Sequence, residues 1–356
     1  MSDDIETIRE PLQRWLAERL PGAEDVRVGE FDRPTGGFSA VTLLIPIRVL
    51  RDGAEHDEKL VLRLETLEPA MYPAQVPGLD VEVDIQFRAM QAIRRAADVP
   101  IAPLIGYEAD VSVLGAPFFV MAYVPGDVPR ENPIYTQQGF FAEATPEQRR
   151  RLLEDGLRVL ADIHRIDWRT ASFDWLAPAK SEPGMAMQLD IWEHFTRREL
   201  GDRVHPSIDR AFEWLRDRLP PDSSIGLCWG DARPGNMIWQ DFRCACVTDF
   251  ENISLGPPEL DLGWWLMFDR FGHETYGVER LPGEPTRDEQ RELYAGFVGR
   301  DVADTFYYEL FAGVRYAAIV VRVVNRMVER GDLPGDQRLW LQNPASTCLD
   351  QLLESI

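Results

Sequence analysis

Hydrophobic and polar positions alternate in two different ways along the chain, and the change comes near residue 125. In the first part, short runs rich in β-branched and aromatic residues are separated by turn-like polar segments, which is typical of an antiparallel sheet. Residues 5–20 and 79–96 instead repeat apolar positions at helical spacing, so we predict a helix in each. The strand-like runs are FSAVTLLIPIRVL (38–50), KLVLRLE (59–65) and APFFVMAYV (116–124).

The part after residue 125 is dominated by helical patterns, with a single strand-like interruption over 225–250. TPEQ at 145–148 predicts a capping box at the start of the first long helix. This segregation predicts an α+β chain of two lobes: a small β-rich lobe over 1–124, a Gly/Pro hinge near 125, and a larger, mainly helical lobe over 125–356. The helices are predicted over 146–164, 185–200, 206–218, 287–299, 302–330 and 337–355.

Composition and charge narrow the class of protein. The 356 residues carry a net charge of −22, which argues against a nucleic-acid partner because binding phosphate backbones requires a basic face. The most apolar helical run, 311–327, is interrupted by Arg315, Arg322 and Arg326, so a buried helix is favoured over a membrane span. The acidic N-terminus resembles neither a signal nor a transit peptide. We therefore expect a cytoplasmic protein with no membrane contact.

One loop concentrates polar residues between apolar runs. In CWGDARPGN (228–236), Asp231, Arg233 and Asn236 stand in a turn shaped by glycine and proline, and Asp249 follows an apolar strand thirteen residues after Asn236. An Asp and an Asn five residues apart, with a second Asp on a hairpin, form the catalytic layout of protein-kinase-like phosphotransferases. Asp231 would then accept a proton from the attacking hydroxyl. Asn236 and Asp249 would bind Mg²⁺, and Arg233 would stabilise charge on the transferred phosphate.

The segment CWGDARPGNMIWQDFRCACVTDFENISLGPPELDLGWW resembles the core of the aminoglycoside phosphotransferase family, in the branch related to the kinase-like portion of certain acyl-CoA dehydrogenases. The family motif H-G-D-x-x-x-x-N is matched from Gly230 onward, although Trp229 replaces the His that braces the loop. The resemblance implies a protein-kinase-like fold, the cofactors ATP and Mg²⁺, and a small hydroxylated acceptor. It also implies that Asp261 braces the backbone behind the loop and that His164 supports it.

The resemblance extends to the first lobe. It implies a short nucleotide loop in RPTGGFSAV, although a glycine pair between strands is also an ordinary hairpin turn. Arg63 follows three apolar residues where kinases carry the phosphate-binding Lys, and only two of the chain's 38 basic residues are lysines. Lys59 lies on the same strand face and is the alternative. The nucleotide loop comprises Gly36, Gly37, Phe38 and Ser39.

Two further nucleotide-binding predictions concern the helix and the linker that follow. The acid that pairs with the phosphate-binding cation is either Glu82 or, by alignment with the family helix, position Gln86; Glu82 suits the chemistry better. PFFVMAYVPGD resembles the interlobe linker, so backbone groups near Met121 and Tyr123 would bind the adenine edge.

These observations favour an ATP- and Mg²⁺-dependent phosphotransferase acting on a hydroxyl of a small molecule. A catalytically silent nucleotide-binding protein or scaffold on the same fold is the alternative, motivated by Trp229, Arg63 and the ambiguous acid. Acceptor specificity is expected to depend on 125–145 and 265–285. The identity of the acceptor, the choice between ATP and GTP and the oligomeric state stay open.

Overall fold

The structure is a computed structural model that describes residues 7–33, 40–66, 68–179, 182–221, 224–302 and 304–356. It divides into two compact units. The first comprises the chain up to Ala70, Asp80–Gln91 and Ile101–Pro125, and the second comprises Met71–Leu79, Ala92–Pro100 and Gly126–Ile356. The chain therefore contributes two short segments to the second unit before residue 125. That the units correspond to a nucleotide-binding and an acceptor lobe stays a prediction.

The first unit is built on a five-stranded antiparallel sheet with strand order β1-β2-β3-β5-β4. Strands β2 and β3 form its longest hairpin, closed by Asp52 and Gly53, which both have positive φ (51° and 72°). A two-residue Asp-Gly turn of this kind matches the twist of the flanking strands. The strands are β1 (Asp25–Val28), β2 (Val41–Arg51), β3 (Ala54–Leu64), β4 (Leu104–Glu108) and β5 (Phe118–Ala122); the helices are α1 (Arg9–Arg19), α2 (Glu82–Ala96) and α3 (Val111–Leu114).

The core of the first unit lies between one face of the sheet and α1. Leucine, isoleucine and valine at alternate positions of β2 are buried there with Leu60 and Leu62 of β3. Helix α1 covers them with Leu12, Trp15 and Leu16. Alternation along β3 therefore turns the odd-numbered positions, which include the predicted phosphate-binding cations, to the other face. The short strands β1 and β4 were not predicted, because runs of four or five residues carry little alternation.

The second unit is mainly helical, which confirms the predicted α+β class. Its first long helix begins with the predicted capping box, in which Thr145 and Gln148 exchange hydrogen bonds. Residues 302–305 and 337–343, which the pattern included in helices, precede the observed starts at Phe306 and Pro344. The helices are α4 (Phe140–Glu143), α5 (Pro146–His164), α6 (Met185–Leu200), α7 (Pro206–Asp217), α8 (Glu259–Arg270), α9 (Arg287–Val298), α10 (Phe306–Arg330) and α11 (Pro344–Leu353).

Helix α8 was not predicted, although it carries part of the family motif. Ten of its twelve residues are buried, so it has no polar face to produce an amphipathic pattern. It packs closely on α10, because a Cβ at Gly263 would lie only 2.5 Å from Tyr308 Cβ. Within the described residues, no helix is long and apolar enough to cross a membrane.

Two small two-stranded antiparallel sheets complete the second unit. Strand β6 (Gly226–Cys228) pairs with β9 (Ser254–Gly256), and β7 (Met237–Gln240) pairs with β8 (Arg243–Val247). The polar loop follows β6, and β8 leads into the segment that contains Asp249. Strands β6, β7 and β8 account for the predicted interruption over 225–250, whereas β9 lies beyond it and was not predicted.

Candidate active site

The polar loop Trp229–Asn236 begins at a backbone turn that only glycine can form. Gly230 has φ +95°, and a Cβ there would lie 2.0 Å from the carbonyl oxygen of Asn252. The Nδ2 group of Asn252 in turn donates to the Gly230 carbonyl at 3.0 Å. The loop ends in a single 3₁₀ turn, Pro234–Asn236. The sharp turn at Gly230 immediately precedes Asp231.

Asp231 is 5% exposed and accepts hydrogen bonds from residues far apart in the sequence. Its Oδ1 accepts from Trp264 Nε1 at 2.7 Å and from Arg233 Nε at 3.0 Å. The hydroxyl of Tyr72 lies 3.4 Å from Oδ2. Asn236 Nδ2 donates to the main-chain carbonyl of Asp231 at 3.1 Å. Three of the four predicted residues, Asp231, Arg233 and Asn236, are thus brought together.

Arg233 lies among groups that keep it charged. Burial by itself lowers the pKa of Arg233, but the carboxylates of Asp231 and Glu131 outweigh this, and the net pKa is raised. Its guanidinium also forms an ion pair with Glu131 and lies over the ring of Phe268, 5.3 Å from the centroid. A fixed positive charge is therefore available beside Asp231.

The fourth predicted residue, Asp249, is connected to the loop through its neighbour. Thr248 donates from its backbone nitrogen and its hydroxyl to the Asn236 carbonyl, at 3.0 and 2.9 Å. Asp249 has φ +62°, a left-handed conformation that Asp tolerates better than most residues. Trp229 Nε1 donates to the carbonyls of Thr248 and Asp249 at 2.9 and 3.2 Å. The indole at the position of the usual His therefore joins the two halves of the site.

The donor set suits Mg²⁺. Asn236 Nδ2 faces a carbonyl, which can only accept, so the amide presents its Oδ1 as the oxygen for a cation. Asn236 and Asp249 would supply one amide and one carboxylate oxygen, and Mg²⁺ commonly binds one or two carboxylates together with substrate phosphates. No group of three or more His, Cys, Asp and Glu side chains with metal-binding geometry occurs among the described residues.

Asp261 holds the loop from behind. Its two oxygens accept from the backbone nitrogens of Gly230 and Trp229 at 2.8 and 2.6 Å. His164 Nε2 lies 3.0 Å from the Asp261 carboxylate, and His164 Nδ1 lies 2.6 Å from the hydroxyl of Tyr294. Asp261 and His164 therefore brace the loop, as the resemblance implied, and the small 229–230 turn depends on a fully buried carboxylate.

Sequence reasoning missed several side chains that contact the loop, among them Tyr72, Trp264 and Arg315. Tyr72 and Trp264 hydrogen-bond Asp231, and Arg315 donates to the Gly230 carbonyl at 2.7 Å. Arg315 is 4% exposed, with its guanidinium 4.5–5.9 Å from the ring centroids of Trp192, Trp264 and Phe311. The one available signal was arginine inside an apolar helical run, which marks a paired buried charge.

The predicted nucleotide-binding residues of the first unit lie along β3 and β5. Arg63 Nη1 donates to Thr42 Oγ1 at 2.9 Å on the neighbouring strand. Lys59 Nζ lies 4.7 Å from the ring centroid of Tyr123, whose backbone nitrogen donates to the Lys59 carbonyl. Met121 pairs with Val61 in the β3–β5 register. These side chains share one region of the sheet, and their role in nucleotide binding stays a prediction.

The remaining predictions in this unit concern the acid that pairs with the phosphate-binding cation and the nucleotide loop. Glu82 is the first residue of α2 and is 4% exposed, and Gln86, one turn later, is 2% exposed. Both are buried, so the choice between them as the partner of Arg63 stays open. Gly36, Gly37, Phe38 and Ser39 lie outside the described residues.

Comparison with known proteins identifies the family. The family model described as "Phosphotransferase enzyme family" matches residues 47–293, more than half of the chain. The chain therefore belongs to this phosphotransferase family, and the resemblance inferred from its motifs is confirmed. The matched region contains the polar loop, Asp249 and Asp261.

Individual relatives and solved structures are similar to most of the chain. It is 26% identical over 284 residues to acyl-CoA dehydrogenase family member 10 of Mus musculus; the match covers 76% of this chain but only 25% of the mouse protein. A candidate aminoglycoside phosphotransferase of Ralstonia eutropha has a TM-score of 0.70 at 21% identity and 97% coverage of both chains. A thermostable mutant of an aminoglycoside phosphotransferase, crystallised with ADP and hygromycin B, has a TM-score of 0.58 at 11% identity, with 97% of this chain and 98% of that one covered. These structures show a shared fold.

Proposed function

We propose that the protein transfers the γ-phosphate of ATP to a hydroxyl group of a small molecule, with Mg²⁺ as the metal. The observation that carries this proposal is the geometry at Asp231: a buried carboxylate with one oxygen fixed by two donors and a permanent cation 3.0 Å away. Membership of the phosphotransferase family and the ADP-bound structural neighbour support it.

Asp231 would receive the proton of the acceptor hydroxyl. Trp264 and Arg233 bind Oδ1, so proton acceptance falls to Oδ2. Because the carboxylate is held before the acceptor arrives, little reorganisation is needed in the transition state, and positioning is the main contribution that phosphoryl transfer requires.

Arg233 would balance the charge that spreads over the transferred phosphate. It contacts Glu131 and Phe268, which belong to the two segments expected to determine acceptor specificity. We therefore propose that residues 125–145 and 265–285 surround the acceptor.

Asn236 and Asp249 would hold the metal, and Mg²⁺ bound there would neutralise phosphate charge. In the first unit, Arg63 would bind the phosphates, with Glu82 or Gln86 beside it, and backbone groups at Met121 and Tyr123 would bind the base. The glycine-containing segment 36–39 is proposed to cover the nucleotide.

Turnover of Mg-ATP with a panel of hydroxylated metabolites tests the proposal. Asp231→Asn should lower kcat by about 10²–10⁴-fold, the usual contribution of a general base, while Mg-ATP still raises the melting temperature. Asp241→Asn, an exposed acid in the turn between β7 and β8, serves as the matched control. Equal turnover by wild type and Asp231→Asn would favour the alternative of a silent nucleotide-binding protein.

A further inference from the structure

The two carboxylate oxygens of Asp231 are held unequally. Oδ1 accepts two hydrogen bonds, from Trp264 and Arg233, at 2.7 and 3.0 Å. Oδ2 is contacted by the hydroxyl of Tyr72 at 3.4 Å, whereas a normal O–H···O bond measures about 2.5–3.0 Å. The Tyr72 contact is therefore weak, and it occupies the oxygen that an acceptor hydroxyl needs.

Tyr72 lies in the segment Met71–Leu79, which belongs to the same compact unit as Asp231. Contacts of this segment with the rest of the unit fix the position of Tyr72. Met71 is 3% exposed and Gln75 is 8% exposed. Gln188 of α6 donates to Gln75 Oε1 at 2.8 Å and to the Leu255 carbonyl at 3.1 Å. A hydrogen bond at Gln75, three residues after Tyr72, therefore connects the segment to α6.

Burial, together with nearby carboxylates, keeps the hydroxyl of Tyr72 protonated. Burial is the largest cause that raises the pKa of Tyr72 well above its ordinary value, and nearby carboxylates add to it. These carboxylates belong to Asp231, Glu251 and Asp249, and Arg233 acts in the opposite direction. Tyr72 can therefore donate a hydrogen bond to Asp231 but cannot act as a base that competes with it.

We propose that Tyr72 makes the enzyme discriminate between its acceptor and water: the phenol hydroxyl shields Asp231 Oδ2 until an acceptor alcohol displaces it. The inference rests on the proposed phosphotransfer. Without the shield, a water oxygen bonds to the γ-phosphorus of ATP, the bond from that phosphorus to the β–γ bridging oxygen breaks, ADP leaves, and the water proton passes to Oδ2. An acceptor has further groups whose binding energy displaces Tyr72, and water has none.

Hydrolysis of Mg-ATP without an acceptor tests the inference. Tyr72→Phe keeps the ring and removes the hydroxyl, so the hydrolysis rate should rise about two-fold, the factor that corresponds to a hydrogen bond at the weak end of the usual range. Asp231→Asn added to Tyr72→Phe should abolish the increase. Tyr307→Phe is the matched control, because its buried hydroxyl donates to the Leu215 carbonyl, and it should leave hydrolysis unchanged.

A second variant covers the case in which Tyr72→Phe does not fold. Gln75→Leu retains Tyr72 but removes the bond to Gln188, and it should also raise hydrolysis. If hydrolysis depends on Asp231 but is the same in wild type and in both variants, the inference is overturned and the proposed function stands. If none of the proteins consumes ATP, with or without hydroxylated compounds, both are overturned.

Discussion

The polar loop of the second unit and strand β3 of the first unit both carry charged residues, but different interactions fix the backbone that bears them. Along β3, backbone pairing with β2 and β5 sets the position of Lys59 and Arg63. The loop Trp229–Asn236 has no such ladder, and its backbone is held by the buried side chains of Asp261, Asn252 and Arg315. We therefore expect substitution of a loop residue or its partner to affect both stability and the proposed activity, and removal of a β3 cation to change the fold little.

The largest effect is expected where the loop backbone is most crowded. Gly230→Ala places a Cβ 2.0 Å from the Asn252 carbonyl at a φ of +95°, so it should lower the free energy of unfolding by about 3 kcal/mol or more and abolish turnover. Denaturant unfolding and an ATP turnover assay measure the two effects. Gly296→Ala in α9, where the added methyl meets nothing within 4 Å, should be neutral or stabilising by up to about 1 kcal/mol.

The second largest loss of stability is expected for substitution of Arg315, the buried arginine that contacts the loop. Arg315→Met removes the donor to the Gly230 carbonyl and the contacts with three aromatic rings, so it should cost about 2–4 kcal/mol of unfolding free energy and lower kcat. Arg169 also stacks on a tryptophan, 4.0 Å from the Trp168 ring, but is exposed. Arg169→Met should cost no more than about 1 kcal/mol. Equal losses in both variants would contradict a specific role for Arg315.

A smaller effect, confined to nucleotide binding, is expected on β3. Arg63→Ala should weaken Mg-ATP binding by about 10–100-fold, the worth of a charged hydrogen bond to phosphate, with a smaller loss of stability than Arg315→Met. Isothermal titration calorimetry measures the affinity. Lys59→Ala is the comparison: if it weakens binding more than Arg63→Ala, then Lys59 is the phosphate-binding cation and the assignment of Arg63 is wrong.

The smallest expected effect is on the pH dependence of stability, and it concerns Glu284, a buried acid that does not belong to the loop. Burial, the largest cause, raises the pKa of Glu284 to about 7 from an ordinary 4.5, and His273 Nε2 lies 3.2 Å from its carboxyl group. An acid with a raised pKa in the folded state stabilises fully below pH 4.5, and this contribution is lost as the pH rises through 7.

Glutamine imitates the protonated form, so Glu284→Gln should match wild type near pH 4.5 and be more stable by about 1–2 kcal/mol at pH 8. Unfolding curves at several pH values measure the difference. Glu279→Gln changes an exposed side chain close by in the sequence and is the control. A difference between Glu284→Gln and wild type that does not grow with pH would contradict the explanation.

Much of the architecture could be predicted, because the pattern of apolar positions reports which face of an element is buried. It identified β2, β3 and β5 and most of the long helices. It failed for α8, whose burial on nearly all sides leaves no polar face. It also could not assign Met71–Leu79 to the second unit, since that assignment depends on contacts with residues more than a hundred positions away.

The sequence by itself determined the fold class, the family and the proposed chemical groups. Phosphoryl transfer requires a carboxylate, oxygen ligands for a metal and a cation close to one another. The sequence supplies these groups, at the spacing typical of protein-kinase-like phosphotransferases, as Asp231, Arg233, Asn236 and Asp249. Tertiary structure alone decided which oxygen of Asp231 is held. Arg233 is two residues from Asp231, but its other partners Tyr72 and Trp264 are 159 and 33 residues distant, and no local pattern in the sequence predicts those contacts.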